Sequence, residues 1–299
     1  MLKKEWRTHR KRLGVNNIGY LFITPFYLFI IFMILVPVVA NILLSLTNFN
    51  LHRMDFVGFR NYMYLLSDGH YRQALFNTVI LTFVTLACNM ALGLLVANML
   101  NISVKGIGVY RVGFFIPWVS SLVAASMIWL WIYEPAHGIL NEVLSLVGIS
   151  RQTWIYDPKL ARLCIITMTV WRWVGYNMII YLAGLQGIPT ELYEAATIDG
   201  AGSVLRFFRI TIPMLRPVTF FLFVTGMIQN FNMFEQIQIM TMGGPVNATT
   251  TVVHQIYNRA FENMLFGYAA AQSVVLLLIV AAITLFNFRY GQKGLDTSL

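Results

Sequence analysis

The sequence predicts an all-α membrane protein with six transmembrane helices, and three observations lead to that fold class. First, 58% of the 299 residues are hydrophobic and only 11% are charged, whereas soluble chains carry roughly 25% charged residues. Second, the chain contains six apolar stretches long enough to cross a bilayer as helices. Third, the formal net charge of +9 favours a membrane surface over nucleic acid as the partner of so apolar a chain. This composition excludes a disordered chain and a water-soluble enzyme.

The six apolar stretches are too long and too continuous to be the roughly ten-residue alternating strands of a β-barrel. The first stretch follows a basic segment, as a signal peptide core does, but it is longer than such a core and no small-residue cleavage site follows it. We therefore interpret it as an uncleaved first transmembrane helix. The six stretches run approximately over residues 18–46, 76–100, 112–133, 161–185, 214–240 and 265–288.

The basic residues predict that both termini lie in the cytoplasm. In that orientation 13 of the 21 Lys and Arg residues fall in cytoplasmic segments and 7 in outside loops, and Arg172 lies within a span. An excess of positive charge on the inside is the usual pattern. The predicted organisation is a basic tail at 1–17, a first transmembrane helix at 18–47, a core with five further helices at 70–288, and a cytoplasmic tail at 289–299.

Several kinds of chemistry have no signature in this sequence. The five histidines show no metal-ligand spacing, and Cys88 and Cys164 lie in apolar runs rather than in a disulfide framework. No P-loop is present, and the run GAGSVL at Gly200 lacks the third glycine of a dinucleotide fingerprint. We therefore expect no cofactor on this chain, and any energy for transport must come from another chain.

The predicted cytoplasmic loop between the fourth and fifth spans reads GIPTELYEAATIDGAGSVLRFFRITIPMLRP. Thr190 is placed to cap a short helix that ends near Asp199, and Gly200 suits the left-handed position after that helix. Ser203 is placed to cap a second short helix, and Pro213 to open the fifth span. The loop carries too many apolar side chains to lie free in water. It packs either against the chain's own spans or against a separate partner.

The same loop carries a motif that resembles the EAA motif of ABC importer permeases. The family pattern is E-A-A, three residues, G, nine residues, I-x-L-P, and this chain departs from it only at Ile212, where the family usually has leucine. The resemblance implies that residues 188–213 form the coupling loop that docks on a separate ATPase. The implied coupling residues are Glu194, Ala195, Ala196, Asp199, Gly200, Ile210 and Pro213.

The resemblance also implies a role for individual residues of the motif. Glu194 would hydrogen-bond the helix to its neighbours, Ala195 and Ala196 would permit close approach, and Gly200 would supply the turn between the two helices.

Three further segments are similar to MalF-like permeases of the carbohydrate-uptake class. They are FVGFRNYMYLL at Phe56, WRWVGYNMIIYLAGLQGIP at Trp171 and MTMGGPVNATTTVVHQIYNRAF at Met240. The resemblance implies the ABC type-1 importer transmembrane fold in a bacterial cytoplasmic membrane. It implies as partners a second homologous permease, two ATPase subunits that bind ATP and Mg, and an extracytoplasmic solute-binding protein. The loop containing Gly243, Gly244 and Pro245 would face that binding protein.

Polar residues in the fifth span are candidates for contact with a solute. Gln229, Asn232 and Gln236 are spaced to share one face of a helix, with Glu235 beside them. Amides both donate to and accept from sugar hydroxyls. They also join transmembrane helices to one another, and both interpretations remain open. Asn177 in the fourth span is a further candidate.

Arg172 in the fourth span also has two interpretations. It could bind a phosphate or carboxylate of a solute, or it could lie near the outer interface and extend to lipid headgroups, with the neighbouring tryptophans as interfacial residues. The second interpretation is favoured.

The predicted function is a permease subunit of an ATP-driven, binding-protein-dependent importer of sugars, with an oligosaccharide as first choice. A glycerol-3-phosphate permease of the same class is the alternative, because Arg172 could serve an anion. An ion-driven secondary transporter would need paired ionisable groups or repeated halves, and only Arg172 and Glu235 are candidates. A membrane-embedded enzyme would need a catalytic cluster that these residues do not assemble.

Overall fold

The computed structural model describes residues 19–291, which are helical apart from turns and one isolated bridge between Thr47 and Phe56. Most of the predicted terminal tails, at 1–17 and 289–299, therefore lies outside the described residues. The helices are α1 (Gly19–Ser45), α2 (Arg60–Ser67), α3 (Gly69–Leu100), α4 (Ile107–Val119), α5 (Leu122–Ile132), α6 (Ile139–Leu146), α7 (Pro158–Gln186), α8 (Thr190–Ile198), α9 (Ser203–Met214), α10 (Arg216–Phe231), α11 (Glu235–Met240), α12 (Val252–Tyr257) and α13 (Phe266–Gly291).

Four helices are individually long and apolar enough to cross a membrane: α1, α3, α7 and α13. Two further pairs pass the same test only when taken together, because α4 and α5 meet at a bend of 99° and α9 and α10 at a bend of 63°. Length and composition thus support four to six spans among residues 19–291. The first, second, fourth and sixth predicted stretches each form a single helix, and the third and fifth do not.

The predicted third span is wrong as a continuous helix, because the chain breaks between α4 and α5. Pro117 lies inside α4 and removes one main-chain donor, and Ser120 is extended with φ −68° and ψ 155°. Ser121 then caps α5, its Oγ accepting from the Ala124 N–H at 3.4 Å. The apolar composition of 112–133 continues through this break, which is why hydropathy did not reveal it.

The predicted fifth span is also interrupted. Pro213 lies within α9 rather than opening the span, and Pro217 instead occupies the first turn of α10, where its missing N–H costs nothing. The chain then leaves helical geometry at Phe234, with φ −140° and ψ −61°, before α11 begins. The stretch 214–240 therefore contains the end of α9, a bend, α10, a break and α11.

The described residues form two compact units, one of residues 19–64 with 259–274 and the other of residues 65–258 with 275–291. In the first unit, the chain after α1 is held by hydrogen bonds. Asn61 Nδ2 donates to the carbonyls of Ser45 and Thr47, both at 2.8 Å. The Gly267 N–H donates to the Phe49 carbonyl at 3.0 Å. These contacts fix the start of α13 beside the end of α1.

In the second unit, glycines bring the backbones of α3, α4 and α7 into contact. A Cβ at Gly93 would lie 2.6 Å from Asn177 Cβ, and a Cβ at Gly175 would overlap the Phe114 carbonyl. Small residues at such crossings permit the close helix packing that membrane proteins use. The packing fixes the part of α7 that contains Tyr176 and Asn177, which border a cavity lined by several polar side chains.

Candidate functional site

A cavity of approximately 400 Å³ opens in the second unit, between α3, α7, α10 and α11. Its wall combines amides, hydroxyls, aromatic rings and one carboxylate with aliphatic side chains. It is lined by Leu86, Asn89, Leu122, Thr169, Trp173, Tyr176, Asn177, Leu222, Thr225, Gly226, Gln229, Asn230, Asn232, Met233, Phe234, Glu235, Gln236 and Val253. A mostly apolar pocket with a few convergent polar groups is the usual form of a small-molecule site.

The polar candidates of the fifth span all line this cavity, but not for the reason that the sequence suggested. Because α10 ends at Phe231, Asn232 is its C-terminal cap, and Gln236 lies on the separate helix α11. The prediction that Gln229, Asn232 and Gln236 share one face of a continuous helix is therefore wrong. The break at Phe234 turns the chain so that both short segments border the same space.

Three amides of the cavity are hydrogen-bonded within their own helices. Asn177 Nδ2 donates to the Trp173 carbonyl at 2.9 Å, Asn230 Nδ2 to the Gly226 carbonyl at 2.9 Å, and Asn232 Nδ2 to the Ile228 carbonyl at 2.8 Å. Among the described residues, these three amides make no hydrogen bond to another helix. Their geometry therefore does not support the interpretation that they join helices to one another.

Asn89 is a cavity residue that the sequence reasoning missed. It lies on α3, is 3% exposed, and its Oδ1 has no hydrogen-bond partner among the described residues. A buried amide in a membrane span is costly unless it meets a partner or lines a cavity. That rule, applied to the second span as it was to the fifth, would have found it.

Aromatic rings form one wall of the cavity. Tyr176 stacks on Trp118 with ring centroids 5.2 Å apart and contacts Trp173 edge-on at 5.6 Å. Trp173 and Tyr176 both line the cavity. Trp173 is thus part of the cavity wall, a position that the sequence did not indicate.

Arg172 does not line the cavity, and its contacts differ from both expected interpretations. Its Nη1 donates to the Ser120 carbonyl at 2.6 Å and to the Pro117 carbonyl at 3.1 Å. These carbonyls lie at the end of α4, where the break leaves them without helical partners. Arg172 therefore caps a broken helix from a neighbouring one, and neither a solute anion nor a headgroup is needed to explain it.

The loop between α7 and α10 contains the two short helices that the sequence predicted. Gly200 has φ +77°, so the expected left-handed turn is confirmed. The predicted caps are wrong by one position. Pro189 and Gly202 precede the two helices without a side-chain cap, and Thr190 and Ser203 are the first helical residues.

Side chains on both helices hold the loop together. The Tyr193 hydroxyl pairs with Thr211 Oγ1 at 2.9 Å, and Arg206 Nη1 donates to Thr197 Oγ1 at 2.8 Å. Glu194 is exposed and has no hydrogen-bond partner among residues 19–291. Within this chain, the bracing that the family resemblance implied for Glu194 is supplied by other residues.

The loop presents apolar side chains that the described part of the chain leaves uncovered. Ile198 is 87% exposed, Val204 69% and Phe208 60%. Their exposure answers the question left open by the sequence, because the chain's own spans do not cover them. We call this group, with Leu192 and Leu205, the coupling patch. Exposed apolar groups of this kind mark interaction surfaces.

A second ordered loop surrounds Gly243, Gly244 and Pro245. Gly243 has φ +80°, and its carbonyl accepts from the Thr249 N–H at 3.2 Å and from Thr250 Oγ1 at 3.1 Å. The Gly244 carbonyl accepts from Thr249 Oγ1 at 2.9 Å. These bonds close the segment into a tight turn.

Side chains of the long helices α3 and α7 hydrogen-bond to the main chain of this loop. Asn77 Nδ2 on α3 donates to the carbonyls of Asn247 at 2.8 Å and Thr250 at 3.0 Å, and Arg162 Nε on α7 donates to the Ala248 carbonyl at 2.8 Å. Burial lowers the pKa of His254, which lies against Gly243, so the imidazole beneath the turn is neutral at pH 7. These hydrogen bonds hold the loop in one ordered arrangement.

No group of three His, Cys, Asp or Glu residues in the described part of the chain could hold a metal ion. The cavity offers hydrogen-bonding groups and aromatic surface, and the loop between α7 and α10 offers exposed apolar side chains.

Comparisons with known proteins agree with this arrangement. A family model described as "Binding-protein-dependent transport system inner membrane component" matches residues 89–292. The sn-glycerol-3-phosphate transport system permease protein UgpA of Agrobacterium fabrum is 40% identical over 244 residues, covering 80% of this chain and 82% of that protein. The lactose transport system permease protein LacF of Rhizobium radiobacter is 39% identical over 276 residues, covering 90% of this chain and 92% of that protein.

Solved structures show the same fold. A chain from the crystal structure of a bacterial ABC transporter involved in the import of the acidic polysaccharide alginate superposes with a TM-score of 0.84 at 22% identity, covering 95% of this chain and 98% of that chain. The alginate transporter in complex with its alginate pentasaccharide-bound periplasmic protein gives a TM-score of 0.82 at 22% identity, covering 93% of this chain and 94% of that chain.

Proposed function

Because the chain belongs to the family of binding-protein-dependent transport system inner membrane components, we propose that it forms half of the solute pathway of an ATP-driven sugar importer. Members of this family are ABC importer permease subunits and not catalytic enzymes. The observation that carries the proposal is the coupling patch. It exposes apolar side chains on two helices that turn at Gly200, in a chain whose sequence has no P-loop.

The remaining parts of the assembly follow from this assignment. A second, homologous permease would complete the pathway, two ATPase subunits carrying ATP and Mg would dock on the coupling patches, and a solute-binding protein would deliver the solute outside. The loop at Gly243, Gly244 and Pro245 would meet that binding protein, and its exposed tip residues Met242 and Val246 support this role. Six spans, with both termini in the cytoplasm, would place the two surfaces on opposite sides of the membrane.

The coupling residues are proposed on the same basis. Glu194, Ala195, Ala196, Asp199, Gly200, Ile210 and Pro213 would transmit movement of the ATPase dimer to the spans. ATP binding would favour one of two arrangements of the spans and hydrolysis the other, as a shift between conformers of different stability. The core at 70–288 would contain the moving helices.

Sugars are the proposed solutes, and Gln229, Asn232, Glu235, Gln236 and Asn177 are the proposed contacts. An oligosaccharide suits a cavity of approximately 400 Å³ bordered by amides and aromatic rings. The relatives named for lactose and for glycerol-3-phosphate are about equally identical to this chain, at 39% and 40%. The second candidate function, a glycerol-3-phosphate permease, is favoured by that likeness.

The proposal is tested by uptake into proteoliposomes that contain this chain, its partner permease and the ATPase subunits, with loaded binding protein outside. We expect uptake of the labelled solute to need internal ATP, and omission of the ATPase subunits to lower it at least about tenfold, since chemistry in another chain drives the cycle. Dissipating the ion gradients with an ionophore is the control and should change nothing. Uptake that persists without ATPase and stops with the ionophore would identify a secondary transporter instead.

A further inference from the structure

We propose that the cavity of this chain selects uncharged, polyhydroxylated solutes and disfavours anionic ones such as glycerol-3-phosphate. The inference deepens the proposed function and rests on it, because it assumes that the cavity borders the solute pathway. It decides between the two solute classes that the relatives leave open.

The charge of the cavity wall is the first argument. Glu235 is exposed to the cavity, and no Lys, Arg or His lines it in the part of the chain that the structure describes. Sites for phosphate use charge-assisted donors, above all arginine and lysine. Here an incoming phosphate would meet a carboxylate, and like charges in a partly desolvated space repel strongly.

The nearest cation does not reverse this conclusion. Arg172 interacts electrostatically with Glu235, so it offsets part of the carboxylate charge. Its Nη1 is committed to the carbonyls of Pro117 and Ser120, however, and its side chain does not border the cavity. A solute in the cavity therefore contacts the Glu235 carboxylate and not the Arg172 guanidinium.

The hydrogen-bonding character of the wall is the second argument, and it is independent of charge. The Nδ2 groups of Asn177, Asn230 and Asn232 each donate to a main-chain carbonyl. Because a carbonyl only accepts, the amide orientation is fixed, and each side chain is left with its Oδ1 acceptor and with one further N–H on Nδ2. Asn89 adds a buried Oδ1 without a partner among the described residues.

An acceptor-rich wall suits a solute that brings many O–H donors. The hydroxyls of a sugar or polyol can donate to the Oδ1 atoms of Asn177, Asn230 and Asn232 and accept from their remaining N–H groups, so both kinds of amide group are satisfied. An ionised phosphate brings only acceptors, so it would leave the Oδ1 atoms and the Glu235 carboxylate without donors. The aromatic rings of Trp173 and Tyr176 provide an apolar surface for the sugar ring.

Charge selectivity is measured directly, without knowing the solute, by thiol modification of the assembled transporter. In a Cys88→Ser, Cys164→Ala background, Asn232→Cys is reacted with a cationic trimethylammonium-ethyl thiosulfonate and with an anionic sulfonato-ethyl thiosulfonate. Asn232 borders the cavity and is exposed in this chain. Any change in thiol pKa affects both reagents equally, so the ratio of the two rates reports the local charge. The reference is Val246→Cys on the outer loop, where the native side chain is 82% exposed.

We expect the cationic reagent to be favoured at Asn232→Cys by about tenfold relative to Val246→Cys, a common size for electrostatic focusing in a cleft. Adding Glu235→Gln should return the ratio to the reference value. A ratio equal to the reference in the native background, or one that favours the anionic reagent, would overturn the proposal. Gln229→Cys, on the same cavity, repeats the measurement if Asn232→Cys does not assemble.

These experiments distinguish a failure of the proposed transport function from a failure of the proposed charge selectivity. The rate ratio needs no transport, so it stands even if uptake proves not to need ATP. Conversely, ATP-driven uptake of a neutral solute together with an inverted ratio would leave the permease assignment intact and remove the charge selectivity.

Discussion

Replacing Gly200 by valine is expected to lower ATP-driven uptake at least about tenfold while leaving the chain in the membrane. The residue has φ +77°, and holding a β-branched residue in that region costs about 1–3 kcal/mol. A Cβ there would meet no atom within 4 Å, so the effect arises from the backbone turn and not from a clash. Relaxation of the turn would separate the helices that the Tyr193–Thr211 and Arg206–Thr197 bonds hold together.

The chain supplies a matched control two residues away. Gly202 is also free of neighbours within 4 Å, but its backbone is extended at φ −67° and ψ 164°, which any residue adopts. Gly202→Val should therefore transport at close to the native rate, and Gly200→Asn should retain most activity, since asparagine tolerates the left-handed region. Uptake and ATP hydrolysis are measured together. Equal activity of Gly200→Val and Gly202→Val would show that the turn does not matter for coupling.

The second large effect is expected from Ile198→Asp, which should reduce co-purification of the ATPase subunits at least about tenfold. Ile198 is 87% exposed, so the chain does not depend on it for folding. In a docked complex the carboxylate would be buried against an apolar surface without a partner, a cost of several kcal/mol. The conservative variant Ile198→Leu should bind the ATPase as the native chain does.

Leu146→Asp distinguishes loss of docking from a general effect of adding charge. Leu146 is 86% exposed on α6, outside the coupling loop, and its substitution should leave ATPase co-purification unchanged. If Ile198→Asp still carried the ATPase in native amounts, the coupling patch would not be the docking surface.

The sequence predicts the helical content and the turn at Gly200 because both depend on local properties. Long apolar runs form helices wherever the backbone must satisfy its own hydrogen bonds, and glycine is the residue that occupies a left-handed turn without strain. The breaks at Ser120 and Phe234 were missed because hydropathy averages over a window. A proline or a single non-helical residue inside an apolar run does not change that average.

The cavity depends on tertiary packing and was predicted only in part. The sequence groups Gln229, Asn232 and Gln236 by a helical spacing that the chain does not have, and the break at Phe234 brings them together instead. Asn89 and Trp173 join them because glycines let α3 and α7 approach closely. Nothing local in the sequence reveals such contacts.

The role of Arg172 likewise depends on tertiary contacts that the local sequence does not reveal. Its role depends on carbonyls some 50 residues earlier in the chain, at 52 and 55 positions from it. Because the break in the third span was not predicted, its capping residue was not predicted either.

Photo-crosslinking from Phe208 tests the central claim most directly. Phe208 is an aromatic member of the coupling patch and is 60% exposed, so benzoylphenylalanine is a close replacement. In membranes that contain the whole assembly, irradiation should join this chain to the ATPase subunit. Phe56, which is 78% exposed in a predicted outside loop, is the control and should give no such product. An ATPase adduct from Phe56, or none from Phe208, would contradict the account.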